Sequence, residues 1–218
     1  MSSRVDVVAL THVDPEDQAR ADMYALLSRL FYGAVDAALL AQIAAAGNIV
    51  AQGEDTSFAD AWRLLAQSAS QSASQSRADD VRLEYEQVFV GAGKAEISLY
   101  ATAYPSGAAH TATAADKRLV ALRSQLNQLG IARRDDAHEP EDHVSALADV
   151  MRLLIAGNDR TQPANLAQQA EFFRAYLAPW VRPLAEHIGN SPNTRFYRAA
   201  GGFLRAFLEL ERRALEME

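Results

Sequence analysis

Cysteine is absent from the 218 residues. That gap removes disulfides, thiolate metal sites, iron–sulfur ligation and cysteine nucleophiles together. Lysine is scarce, at Lys94 and Lys117 alone, and 28 acids outnumber 21 bases for a formal net charge of -7. Duplex binding is driven by neutralising phosphates and releasing counterions, so a chain with no basic cluster is not expected to bind nucleic acid. An acidic surface suits a basic partner segment instead. Long apolar runs are also missing. A long uncharged stretch, between Asp36 and Glu54, holds Gln42, Gly47, Asn48 and Gln52. It is too polar for a membrane span, and no stable membrane insertion is expected. The opening MSSRVDVVAL has no extended apolar signal core, which predicts a cytoplasmic location.

What is present is helical periodicity. Apolar residues make up 49% of the chain, enough for one core in a domain of this length. We expect an all-α, irregular single-domain bundle of about eight to ten helices over residues 14–218, with residues 1–13 as a flexible N-terminus. Asp14 and Pro15 open the first helix, with Glu16 and Asp17 at its positive end. Its stripe is Met23, Leu26, Leu27, Leu30 and Phe31, and Gly33 ends it. The polar repeat QSASQSASQSR, residues 67–77, reads as a low-complexity loop or frayed helix end that adds no packed face. Thr113 is a good N-cap, Pro140 restarts a helix after the charged stretch 131–139, and Pro163 starts another. The last helix begins near Ser191 or Pro192. Its Gly201-Gly202 pair costs stability unless a neighbour packs closely there.

Chemical motifs mostly fail. GAGK, Gly91–Lys94, lacks the first glycine and the hydroxyl residue of a phosphate loop, since Val88 and Ala95 stand there. No GxGxxG, HExxH or GxSxG occurs. Of the five histidines, His138 and His143 flank Glu139, Glu141 and Asp142 in an acid–imidazole cluster. Pro140 splits them between loop and helix, so no metal site and no cofactor are expected. Ser145 lies two residues from His143, a spacing that points side chains apart on a helix, so no catalytic pair is expected. EPEDH, Glu139–His143, reads either as a helix start or as a functional cluster. Tyr100 and Tyr104, in the aperiodic loop SLYATAYPSG, either fill gaps beneath the loop or form an aromatic lip over a groove. FFRAYLAPW, Phe172–Trp180, reads as core.

Four segments arrive in an order that resembles the TorD/DmsD/NarJ family of redox-enzyme maturation chaperones. They are EYEQVFVG at 84–91, LYATAY at 99–104, EPEDH at 139–143, and FFRAYLAPWVRPLAEHI followed by FYRAAGGFLRAFLELE. EPEDH is close to the family's E-P-x-D-H hallmark, and the likeness spans about residues 15 to 212. Leu99 replaces the usual loop proline, Thr102 the loop serine, and Tyr176 the usual histidine before the PW segment. The resemblance implies an all-helical cytoplasmic chaperone, not an enzyme. It would bind the twin-arginine signal peptide and apo form of a molybdopterin-containing oxidoreductase subunit, and hold it until its cofactor is inserted. The client stays open among formate dehydrogenase, dimethyl sulfoxide or amine-oxide reductases and nitrate reductase. The implied client-binding residues are Glu139, Asp142, His143, Tyr100, Tyr104, Phe89 and Trp180. Guanine nucleotide binding is implied for some members only, with no phosphate loop here to hold it. A monomer is expected, with a dimer as the alternative.

Overall fold

The computed structural model describes residues 13–48, 56–104, 112–132, 140–158 and 161–216. Most of the N-terminus expected to be flexible lies outside the described residues. Among those described, the chain forms nine α-helices and no strand, in line with the all-α expectation. They are α1 (Pro15–Tyr32), α2 (Ala37–Ala45), α3 (Thr56–Ser72), α4 (Gln75–Tyr85), α5 (Ala112–Gln128), α6 (Val144–Ala156), α7 (Leu166–Tyr176), α8 (Ala178–Asn190) and α9 (Phe196–Glu216).

The apolar stripes fix how these helices pack. α1 buries Tyr24, Leu27, Leu30 and Phe31 and lies along α6, which buries Leu147, Met151, Leu154 and Ile155. α9 crosses α3 and α8. Phe203 meets Trp62 with ring centroids 5.6 Å apart, and Phe207 meets Tyr24 edge-on at 4.9 Å. Rings in such tilted and edge-on pairs set their positive edges against negative faces. Gly201 lets α8 approach closely: a Cβ there would sit 2.8 Å from Ile188 Cγ2. Gly202 has open space around it.

Charged side chains tie the ends together. Arg20 on α1 grips Glu211 on α9 through two bonds, Nε to Oε1 at 2.9 Å and Nη2 to Oε2 at 3.0 Å. Burial works against the Arg20 cation, but the Glu211 bonds and field more than offset it and raise its pKa. The start of α9 is capped from a distant helix. The Glu84 carboxylate, reaching from α4, accepts the backbone N–H groups of Arg195, Phe196 and Tyr197 at 2.8, 3.1 and 2.8 Å.

Several boundaries differ from expectation. The polar repeat at 67–77 is largely helical, broken only at Ala73–Ser74 between α3 and α4. Its alanines explain this: Ala69 is buried and Ala73 packs half-buried against the core, so small residues four apart supply a packed face that polarity hid. Thr113 lies inside α5 and is not its cap. α7 starts at Leu166, where Asn165 and Gln168 form a capping box stronger than a proline start at Pro163. α9 starts at Phe196, set by Glu84, and not at Ser191 or Pro192. Pro140 does not start α6: Val144 does, with His143 as the N-cap.

Candidate functional site

The N-cap role of His143 organises the site. Its backbone is extended, and its Nδ1 accepts the Ser145 N–H at 3.2 Å. Ser145 Oγ also lies 2.7 Å from Nδ1. The two side chains therefore meet, contrary to the expectation from helical spacing, because His143 stands outside the helix. Both are buried, at 3% and 2% exposure, so this pair is a cap.

An extended residue before a helix exposes its backbone to a partner strand. Here the LYATAY loop supplies one. Ala101 N–H bonds Asp142 O at 3.0 Å and Val144 N–H bonds Leu99 O at 2.9 Å, forming an antiparallel bridge between Tyr100 and His143. The Tyr100 ring meets the His143 ring edge-on at 5.0 Å. A 3₁₀ turn, Ala101–Ala103, follows. It brings Thr102 onto Asp142, whose Oδ2 accepts both the Thr102 N–H at 3.0 Å and its hydroxyl at 2.7 Å. Asp142 itself is only 4% exposed.

The other candidates fall in different places. Tyr104 is buried: its ring lies 5.5 Å from Trp180 and 5.6 Å from His187, and its hydroxyl donates to Ser98 O at 2.8 Å. Burial raises its pKa, so it is a neutral donor. Tyr104 thus fills the space beneath the loop and is not an aromatic lip. Trp180 is core, as the FFRAYLAPW pattern predicts, with Nε1 donating to Tyr176 O at 2.6 Å. Phe89 is also buried, among Phe31, Tyr85 and Tyr197, and is not grouped with Asp142. Glu139 and His138 lie outside the described residues. Among those described, no cluster of His, Cys, Asp or Glu is placed to hold a metal ion.

Two cavities flank this junction. The larger, an open groove of ≈ 770 Å³, runs between the end of α1, the end of α5 and the first turns of α6. Val35, Leu39, Leu126, Ile131, Val150 and Leu153 give it an apolar lining. Tyr32, 61% exposed, and Glu141 stand at it too. Glu141 is paired with Arg123 at 3.0 Å, and that hydrogen bond, then the carboxylate's field, raises the Arg123 pKa. The smaller cavity, ≈ 50 Å³, lies on another side of Asp142, among α5, α7 and α8.

Sequence reasoning brought Tyr100, Asp142 and His143 to one place, missed Thr102 and Tyr32, and set Ser145 apart from His143, where the structure joins them. Thr102 stood out only as a departure from serine; its loop hydroxyl two residues after Tyr100 was the usable signal. Tyr32, an aromatic residue off its helix's apolar stripe, was the other.

The described residues thus form an all-helical bundle in which a stitched loop–turn junction lies beside an open groove. Comparison with known proteins gives the family. Residues 51–186 match the family described as nitrate reductase delta subunit. A protein of Shewanella loihica named chaperone protein TorD is 25% identical over 208 residues, covering 92% of this chain and 95% of that protein. The chain belongs to this TorD/DmsD/NarJ family of redox-enzyme maturation chaperones, and it is not an enzyme. Among the described residues no helix is long and apolar enough to cross a membrane.

Proposed function

We propose that this chaperone acts in the cytoplasm on the apo form of a molybdopterin-containing oxidoreductase subunit. It binds that subunit's twin-arginine signal peptide, aids cofactor insertion and delays export until the client has folded. The observation that carries this reading is the stitched junction of LYATAY and EPEDH at the edge of the ≈ 770 Å³ apolar groove. A twin-arginine leader joins a basic head to an apolar stretch. The groove suits the apolar stretch, in helix-in-groove or extended form. The carboxylate of Asp142 suits the basic head, because guanidinium–carboxylate bonds are charge-assisted. The net charge of -7 favours approach of a basic segment.

The test is calorimetric titration of a synthetic peptide carrying Ser-Arg-Arg before an apolar run. Saturable binding is expected, weakened several-fold by Tyr32→Ala, whose exposed ring leaves the fold intact when removed. Equal binding of a scrambled peptide would sink the reading. So would undiminished capture of a folded client lacking its leader, which would assign a scaffold role instead.

A further inference from the structure

A helix held on a bundle by few buried side chains opens locally more readily than one sunk in the core. α5 is such a helix. Among its described side chains Leu122 and Leu126 alone are buried, at 2% and 6% exposure, whereas α6 buries eight residues. Leu119 and, past the helix end, Leu129 rest half-buried on the core. The apolar stripe is therefore one leucine wide, and the outer face carries Val120 at 63% exposure. Arg118 Nη1 donates to Tyr104 O at 3.2 Å. The Arg123–Glu141 pair at 3.0 Å leaves Arg123 half exposed, where water screens it.

The same two leucines part the two cavities. Leu126 lines the larger groove, which meets α6 at Ser145, Ala146 and Val150. Leu122 lines the smaller cavity, which meets α6 at Leu147. One helical turn of α5 thus stands between two hollows over the start of α6. A void beside a side chain removes partner atoms on that side, so this wall gains less from packing than a close-packed helix does.

We propose that α5 is a displaceable lid over the start of α6. In place, its leucine stripe covers the seat that the apolar stretch of the client's leader takes. As the leader enters, α5 moves outward, the two cavities join into one groove along α6, and the leader's apolar side chains replace Leu122 and Leu126. One apolar stripe is exchanged for another, so the seat is covered both with and without client and presents no large apolar patch to water. This rests on the leader-binding reading and adds to it a closed state that the leader must displace. Apparent affinity is then the intrinsic affinity reduced by the fraction of open chains.

The chain has no cysteine, so an introduced pair carries the only spin labels. Val120→Cys on α5 is combined with Arg205→Cys on α9, and Leu64→Cys with Arg205→Cys is the reference between α3 and α9; all three positions are exposed. In the free chain the 120–205 distance is expected to have one main value. The Arg-Arg peptide brings in a second value that grows with its occupancy, while the 64–205 distance stays fixed. Leu122→Ala with Leu126→Ala loosens the lid: the second value is present without peptide, and the peptide binds several-fold tighter. Leucines that only line the groove would give the opposite sign, weaker binding. Hydrogen exchange of the unaltered chain reads the lid without either variant: α5 amides exchange well ahead of those of α6, and equal protection overturns the lid. An unchanged 120–205 distance at saturating peptide, or weaker binding by an intact double variant, also overturns it and leaves the leader-binding reading standing. If the wild-type chain binds no such peptide, that reading falls and the lid falls with it.

Discussion

Among the described residues two carboxylates lie below the surface, Glu211 on α9 and Asp142 in the turn before α6, at 2% and 4% exposure. Glu211 meets Arg20 through both oxygens, and Gln169 completes the group by accepting from Arg20 Nη2 at 3.2 Å. That cluster joins α1, α7 and α9 where the bundle closes. Asp142 has hydrogen bonds from Thr102 but no ion pair among the described residues. It stands where a loop, a turn and a helix start converge beside two cavities. The same group at the same depth therefore meets two surroundings. One is ion-paired within the fold. The other is hydrogen-bonded with no ion pair among the described residues, and buried carboxylates held that way are candidates for a functional role.

The largest way to test this contrast is to make Glu211 resemble Asp142. Arg20→Ala strands a buried carboxylate and is expected to cost about 3–5 kcal/mol. The shift of the urea midpoint at constant slope measures it. Replacing both partners, Arg20→Met with Glu211→Leu, should recover most of that loss, since an apolar pair needs no compensation. A loss well under 1 kcal/mol in Arg20→Ala would show that water already satisfies Glu211, and the contrast would fail.

Glu84 offers a middle case, a half-buried carboxylate spent wholly on backbone N–H groups. Glu84→Ala leaves three donors at the start of α9 without it, and a loss of about 1–2 kcal/mol is expected. Glu84→Gln should retain part of the cap and lose less. Hydrogen exchange at the Arg195, Phe196 and Tyr197 amides reads the effect locally. Unchanged exchange in Glu84→Ala would mean that another group caps the helix.

How far these roles were legible in sequence depends on the range of the interaction. Local signals carried well: Asp14–Pro15 opened α1, and Asp36 caps α2 by accepting Leu39 N–H at 2.7 Å. The apolar stripe of α9 and the close approach at Gly201 were readable for the same reason. Non-local groups were not. Glu84 caps a helix more than 100 residues away, and nothing near Phe196 announces it. The start of α6 was misplaced because Pro140 is a strong local signal, whereas His143 caps only once its bridge to Tyr100 has drawn it extended. EPEDH and LYATAY were each visible, but the Thr102–Asp142 bond that unites them spans 40 residues. Aromatic residues in loops were ambiguous for a related reason. Tyr104 and Tyr100 look alike in sequence, yet one fills the core and the other contacts His143.

The smallest expected effect on stability is at Asp142 itself, and there the contrast is sharpest. Asp142→Asn keeps an oxygen for the Thr102 N–H and hydroxyl while removing the charge. The fold loses no ion pair, so the change in stability should stay within about 1 kcal/mol and run upward. Leader affinity should fall roughly tenfold, because a neutral amide forms no charge-assisted bond with a guanidinium. A melting curve and a peptide titration on the same sample separate the two. A variant that is as stable as wild type and binds poorly places Asp142 in recognition. A variant that unfolds as readily as Arg20→Ala makes Asp142 a second Glu211, a structural charge whose partner is supplied from within the chain.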